Sequence, residues 1–272
     1  KLIPNQLENR ACVDSQFGNR APPFEDSGVA IPKLPLTKFS VRLGNLIFRN
    51  RSFTLVPICL LLPVVTWLAM QGWTDSFLLN PVGIAIGLFI LVLGEAIRLH
   101  VVAFARSGTS GRTMNMKAPM LTTTGLYGHT RNPLYLGNFL TLVGLACLTG
   151  QMFALVLVAI IVYAQYYFVI RAEEAFLASE HPDSFKNFCQ SVPRFFPQWR
   201  GWNSGQQPVS ARWKRAWLKE QDTIFAIFLA SWALLGIRLE LANRVVFTQD
   251  TAIWLGILGC GFLIWLAMKR VP

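Results

Sequence analysis

Two short polar clusters interrupt an otherwise apolar chain. The first is Gly125-Leu126-Tyr127-Gly128-His129-Thr130-Arg131-Asn132-Pro133-Leu134-Tyr135-Leu136-Gly137, and the second is Glu173-Glu174. Arg131 presents five N–H donors in a rigid fork and keeps its charge, which suits a carboxylate or a phosphate. Pro133 fits the first turn of a helix, where its missing N–H costs little. Gly137, one turn further, lets another backbone or a ligand come close. Glu173 and Glu174 can accept hydrogen bonds from a ligand ammonium or from ribose hydroxyls. On a helix, adjacent residues point about 100° apart, so only one of the two can face inward squarely. An arginine and two carboxylates at the mouth of membrane helices are costly without polar partners. Together they point to a polar cofactor held at the membrane surface. Taken singly, Arg131 also reads as a positive-inside anchor, and the acidic pair as two solvated carboxylates at headgroup level.

Other polar groups carry less. Glu95 and Arg98 are three residues apart and read as a local ion pair on one helix face. Ser107-Gly108-Thr109-Ser110-Gly111-Arg112 reads as a plain loop and matches no nucleotide-binding fingerprint. The five cysteines (12, 59, 147, 189 and 260) contain no CxxC, and the three histidines (100, 129 and 181) lack ligand spacing. Neither a disulfide framework nor a metal site is expected.

The elements that must hold these groups are membrane helices. Of the 272 residues 53% are hydrophobic and only 14% charged, which points to a membrane protein rather than a soluble domain. The net charge of +11 reads as cytoplasmic loops facing anionic lipid, not as a nucleic-acid interface. Residues 1–36 are polar and proline-bearing, lack the apolar core of a signal peptide, and read as a tail or a surface-lying segment. Phe39, Leu43, Leu46 and Ile47 form an apolar stripe among Lys38, Arg42 and Arg49, which predicts an interfacial helix over 37–50. Six apolar runs follow at about 53–70, 81–99, 134–149, 151–170, 223–240 and 251–268, each near the roughly 20 residues that cross hydrocarbon as a helix. The third and fourth are joined around Gly150 and should form a tight antiparallel hairpin. Pro57 and Pro63 should kink the first. Trp213 and Trp217, one turn apart among Arg212, Lys214, Arg215 and Lys219, predict a second interfacial helix over 211–219.

At this point the chain resembles a known family. The segment from Thr124 to Gly137 looks like the Gly-x-Tyr…Arg-His-Pro-x-Tyr-x-Gly motif of the isoprenylcysteine carboxyl methyltransferase and phospholipid methyltransferase superfamily. Glu173-Glu174…Leu177…Phe185…Phe188…Val192-Pro193-Arg194…Pro197 looks like its second motif, Glu-Glu-x-x-Leu followed by Tyr-x-x-Tyr and a proline-bearing end. The resemblance covers roughly residues 80–200. It implies S-adenosylmethionine bound at the cytoplasmic mouth of the bundle and a lipid-like acceptor arriving from the bilayer. It makes Arg131, Asn132 and Tyr135 catalytic candidates. Tyr127, Arg131, Asn132, Tyr135, Gly137, Glu173 and Glu174 become the cofactor-binding candidates. Asn132 stands where the family has His, and Phe185 and Phe188 stand for the two Tyr. Asn cannot titrate near neutrality, which excludes a general base there. An ionised carboxylate or phosphate needs no such base, so the substitution favours an anionic acceptor.

The expected architecture is an all-α integral membrane protein of about six transmembrane helices plus interfacial helices. It divides into a polar segment with an interfacial helix (1–52), a methyltransferase core (53–200) and a C-terminal part (201–272). The expected function is methyl transfer from S-adenosylmethionine to a lipid or lipid-modified carboxylate, phosphate or amine. The resemblance to bacterial members implies an inner (cytoplasmic) membrane, with no nucleic-acid partner and no metal. Two rivals are an NADPH-dependent sterol-type reductase, against which Leu134 in place of Asn argues, and a non-catalytic membrane scaffold.

Charge predicts the orientation. Apart from Arg238 and Arg244, the other 23 Lys and Arg residues lie in the tails, in 98–131 and in 171–222, which should therefore face the cytoplasm. In a background without native cysteines, Ser76→Cys is expected to react with an impermeant thiol reagent added outside, and Ser107→Cys is not. The reverse pattern would overturn the orientation.

Overall fold

A computed structural model of the chain describes residues 43, 46–47, 56–68, 81–105, 120–203, 205–206, 210–243 and 249–269. The tail over 1–36, most of the interfacial helix expected over 37–50, the 71–80 loop, the Ser107–Arg112 connector and residues 244–248 lie outside the described residues. Every apolar run read from the sequence is helical: α1 (Val56–Leu68), α2 (Pro81–Ala103), α3 (Pro133–Leu148), α4 (Met152–Glu180), α6 (Trp213–Asn243) and α7 (Gln249–Lys269). A short helix, α5 (Pro182–Ser191), follows α4, and a single 3-10 turn, Gly125–Gly128, precedes α3. No strand occurs among the described residues.

The protein is an all-helical integral membrane protein. Among the described residues, three helices are long and apolar enough to cross a bilayer: residues 82–103, 152–180 and 213–237. Among the described residues, three of the six expected spans are thus long and apolar enough to cross. At 1.5 Å per residue, the 16 residues of α3 extend about 24 Å, below the roughly 30 Å of hydrocarbon. Leu60, Phe89, Val92, Phe153, Ile160, Leu263 and Ile264 all point outward, an apolar surface suited to lipid.

Two details differ from the sequence expectation. Pro57 falls in the first turn of α1, where the helix has no N–H partner to lose, and only Pro63 is interior. The helix expected over 211–219 and the run over 223–240 form one continuous helix, α6. No Gly or Pro interrupts the chain between Trp213 and Gly236, and the acids that ended the apolar run are accommodated. Glu220 pairs with Arg98, and Asp222 accepts the Trp265 indole N–H at 3.0 Å.

The chain divides into two compact units. The membrane unit comprises residues 52–103, 136–163 and 211–272. Within it α6 packs against α1, α2 and α7. Small residues let α2 and α3 approach closely. A Cβ on Gly94 would lie 2.6 Å from the Thr141 backbone N, and one on Gly144 would lie 2.6 Å from the Leu91 backbone N. Small residues are a common way for membrane helices to gain contact where no hydrophobic effect separates them from lipid. The α3–α4 turn matches the expected hairpin. Gly150 adopts φ 77°, the Thr149 hydroxyl donates to Ala146 O at 2.7 Å, and Gln151 N–H donates to the Thr149 hydroxyl at 3.2 Å.

Arg98 is the polar hub of this unit. It pairs with Glu95 at 3.2 Å, as the spacing predicted, and also with the Asn138 side-chain oxygen and Glu220. Thr141 donates its hydroxyl to Glu95 at 2.9 Å. The local pair is thus one edge of a network that ties α2, α3 and α6 together, as charge inside a membrane protein requires.

The second unit comprises residues 1–51, 104–135 and 164–210 and contains both sequence motifs. Its core is Leu121, Ala178, Phe185, Phe188, Cys189 and Val192, flanked by Tyr127, Leu177 and Trp202. Phe185 and Phe188 are fully buried. Tyr at either place would bring a hydroxyl needing a buried partner.

Gly144→Ala is expected to destabilise the protein by about 1–3 kcal/mol, because the new methyl meets rigid backbone. Gly256→Ala, which meets nothing within 4 Å, should stay within about 0.5 kcal/mol of wild type. Thermal unfolding in detergent distinguishes the two, and equal effects would contradict the seam.

Candidate active site

The motif segment begins at the 3-10 turn, entered through Gly125 at φ 63°, and passes through a turn at His129 and a bend at Arg131 into α3. Its backbone is fastened to the stretch that follows α5. Arg131 N–H donates to Pro193 O at 2.9 Å, and the Thr130 hydroxyl donates to Phe195 O at 2.9 Å. The Asn132 side-chain amide donates to Arg194 O at 2.8 Å. One turn earlier, Gly128 O accepts from Trp202 N–H at 2.8 Å and from the Gln198 side chain at 3.1 Å. A Cβ on Gly128 would lie 2.9 Å from Trp202 O, so the approach requires glycine. His129 faces Gln198 O through Nδ1 at 3.0 Å and serves the same clamp.

The charged groups meet beneath this clamp. Glu174 is 1% exposed and stands between two arginines: Arg131 Nη2 lies 3.3 Å from Oε1, and Arg194 Nε donates to Oε2 at 2.9 Å. Glu173, next along α4, is only partly buried and accepts the Tyr135 hydroxyl at 2.8 Å. The predicted divergence of adjacent helical carboxylates is therefore realised, because α4 continues unbroken to Glu180. The Tyr135 ring packs on Tyr166 at 5.1 Å between centroids, and the Arg171 guanidinium lies 5.3 Å from the Tyr167 ring centroid. Burial pushes the Tyr127 phenol up to about 12, and the Glu173 carboxylate adds to the rise. Tyr127 is then a neutral donor throughout the physiological range.

Six of the seven sequence-predicted residues thus fall in one unit: Tyr127, Arg131, Asn132, Tyr135, Glu173 and Glu174. Gly137 belongs to the membrane unit, where a Cβ would lie 2.8 Å from the Arg98 side chain and 2.9 Å from Gly94 O. The neighbour it admits is another helix. Sequence reasoning did not single out Arg194 or Thr130. The signal for Arg194 was present, since a cation follows Val192-Pro193 at the end of the second motif, but nothing in the sequence showed which carboxylate it would meet.

The phospholipid methyltransferase family matches the chain over residues 82–183, the stretch that contains α2, the motif segment, the α3–α4 hairpin and the acidic pair. That match and the similarity to an isoprenylcysteine O-methyltransferase support the superfamily resemblance carried by the two motifs. Among curated relatives, the cobalt-zinc-cadmium resistance protein CzcN of Cupriavidus metallidurans is 32% identical over 124 residues, covering 46% of this chain and 53% of that protein. The nickel-cobalt-cadmium resistance protein NccN of Alcaligenes xylosoxydans is 29% identical over 126 residues, covering 46% and 54%. Protein-S-isoprenylcysteine O-methyltransferase of Schizosaccharomyces pombe is 28% identical over 160 residues, covering 57% and 63%. The chain spans about half the length of the first two relatives. No solved structure matches it significantly.

The two carboxylates should respond differently to neutralisation. Glu174→Gln removes the anion between the buried Arg131 and the part-buried Arg194 and is expected to destabilise by about 3–5 kcal/mol. Glu173→Gln retains a carbonyl that can accept the Tyr135 hydroxyl and should cost less than about 1.5 kcal/mol. Denaturant unfolding of both variants measures the gap, and equal stabilities would refute the bridge.

Proposed function

We propose that this protein is an integral-membrane methyltransferase that moves a methyl group from S-adenosylmethionine to a lipid or lipid-modified acceptor at the cytoplasmic face of the membrane. One observation carries the reading: the Tyr135 hydroxyl meets Glu173 at 2.8 Å, so the two family motifs converge on one set of polar groups. The match to the phospholipid methyltransferase family and the similarity to an isoprenylcysteine O-methyltransferase support it.

The donor set fits the cofactor's chemistry. A carboxylate has about four lone-pair sites. Glu173, which accepts the Tyr135 hydroxyl, is a group of the kind that accepts from an ammonium or a ribose hydroxyl. Arg131 has donors suited to the cofactor's carboxylate or to an anionic acceptor. Glu174 supports rather than binds: it holds Arg131 and Arg194 in place. When bound, S-adenosylmethionine supplies a methyl group on a positively charged sulfur.

This chain's residues supply position and exclude water. Asn132 fixes the start of α3 through Arg194 O and offers no base. The Tyr127 phenol stays protonated and offers none either. The reading therefore favours an acceptor already anionic, a carboxylate or a phosphate, for which orientation and desolvation are the main contributions.

Calorimetry on purified protein tests the cofactor. S-adenosylmethionine and its demethylated product are expected to bind, and NADPH is not. Glu173→Gln and Arg131→Lys should each weaken cofactor affinity or turnover by about tenfold to a hundredfold, since charge-assisted hydrogen bonds are worth about 1.5–3 kcal/mol. Radiolabel from S-adenosylmethionine should enter a lipid or lipidated-protein fraction of membranes containing the protein. Selective NADPH binding would move the assignment to a reductase, and no binding of either would leave a scaffold.

A further inference from the structure

The stretch after α5 is fastened on one side and bare on the other. Phe195 is buried at 7% exposure, whereas the next residue, Phe196, is 70% exposed and Trp199 is 97% exposed. Pro197 and Arg200 between and beside them are exposed as well. The exposure does not come from a loose loop. Gln198 N–H donates to His129 O at 2.9 Å, and its side chain donates to Gly128 O and Ser191 O, both at 3.1 Å. The Thr130 hydroxyl holds Phe195 O from the other end. Two large aromatic side chains are thus presented outward from a backbone bonded on either side of them.

We infer that the Phe196–Trp199 loop is a membrane-docking surface whose partner is the headgroup layer of an anionic leaflet. Three observations select this partner. The loop belongs to a chain already integral to the membrane. Arg194, two residues before it, pairs with Glu174 in the last two turns of α4, whose 29 residues extend about 44 Å, more than the roughly 30 Å of hydrocarbon, so this end of the helix reaches headgroup level. The surface chemistry is that of the interface: exposed Trp and Phe rings, which favour the boundary between hydrocarbon and water, beside exposed cations. Apart from the ion-paired Arg194, the stretch 181–206 contains Lys186 and Arg200 against Asp183 alone. The same bonds that present the aromatic rings also hold Gly128, His129 and Thr130. A docked loop therefore sets the depth of the motif segment against the leaflet.

Fluorine NMR of the full chain, labelled with fluorotryptophan in nanodiscs containing anionic lipid, reads the position of Trp199 directly. Trp199→Phe assigns its resonance and has no packing to lose, because the side chain is bare. Lipid spin-labelled near the acyl carbonyl is expected to abolish the Trp199 signal. Survival of the signal would overturn the inference. A water-soluble paramagnetic chelate then tells exposure to water from cover by another protein segment, since only the water-exposed ring would be broadened. In wholly zwitterionic nanodiscs the loss of signal should be weaker, and an unchanged loss would overturn the role of charge. The measurement reads location alone and is independent of methyl transfer.

Discussion

A buried carboxylate between two arginines is the constraint on which the motif unit depends. Glu174 is nearly inaccessible, and its charge is tolerable there only because Arg131 and Arg194 flank it. Each arginine brings its own backbone. Arg131 begins the approach to α3, and Arg194 ends the stretch after α5. The ion pairs and the backbone bonds from residues 130–132 to 193–195 therefore act together and join segments about sixty residues apart in sequence. Hydrogen bonds in a low-dielectric surround reinforce one another and punish any missing partner. The clamp is accordingly a single device rather than a set of separate contacts.

The membrane unit meets the same demand by another route. Its apolar surface gives helices no reason to prefer each other over lipid, so close backbone approach and polar pairing must supply the preference. Gly94, Gly137 and Gly144 provide the approach. Arg98 provides the pairing, because Glu95, Asn138 and Glu220 converge on it from three helices.

The departures from the family pattern acquire physical meaning in this setting. Phe185 and Phe188 lie in a sealed core, where a hydroxyl would be a cost. Asn132 uses its amide to bond Arg194 O, a structural task that does not require a titratable ring. The acidic pair divides its labour: Glu174 meets Arg131 and Arg194, while Glu173 meets Tyr135. A helical pair of adjacent acids cannot do otherwise, since the two side chains leave the axis in different directions.

Much of this was legible in the chain alone. Apolar runs revealed the helices because burying a backbone in lipid leaves the helix as the economical way to satisfy its polar groups. Gly150 marked the hairpin, Glu95 and Arg98 marked an ion pair, and the two motifs marked the groups that could do chemistry. The continuity of α6 was hidden, because Glu220 and Asp222 look like the end of an apolar run until Arg98 and Trp265 are seen to receive them. The partner of Glu174 was hidden for the same reason. Residue type and spacing along a helix report what a side chain can bond and which way it leaves the axis. Which distant group stands there to meet it is set by the return of the chain, and only the tertiary structure brings Arg194 to Glu174 and turns Trp199 outward.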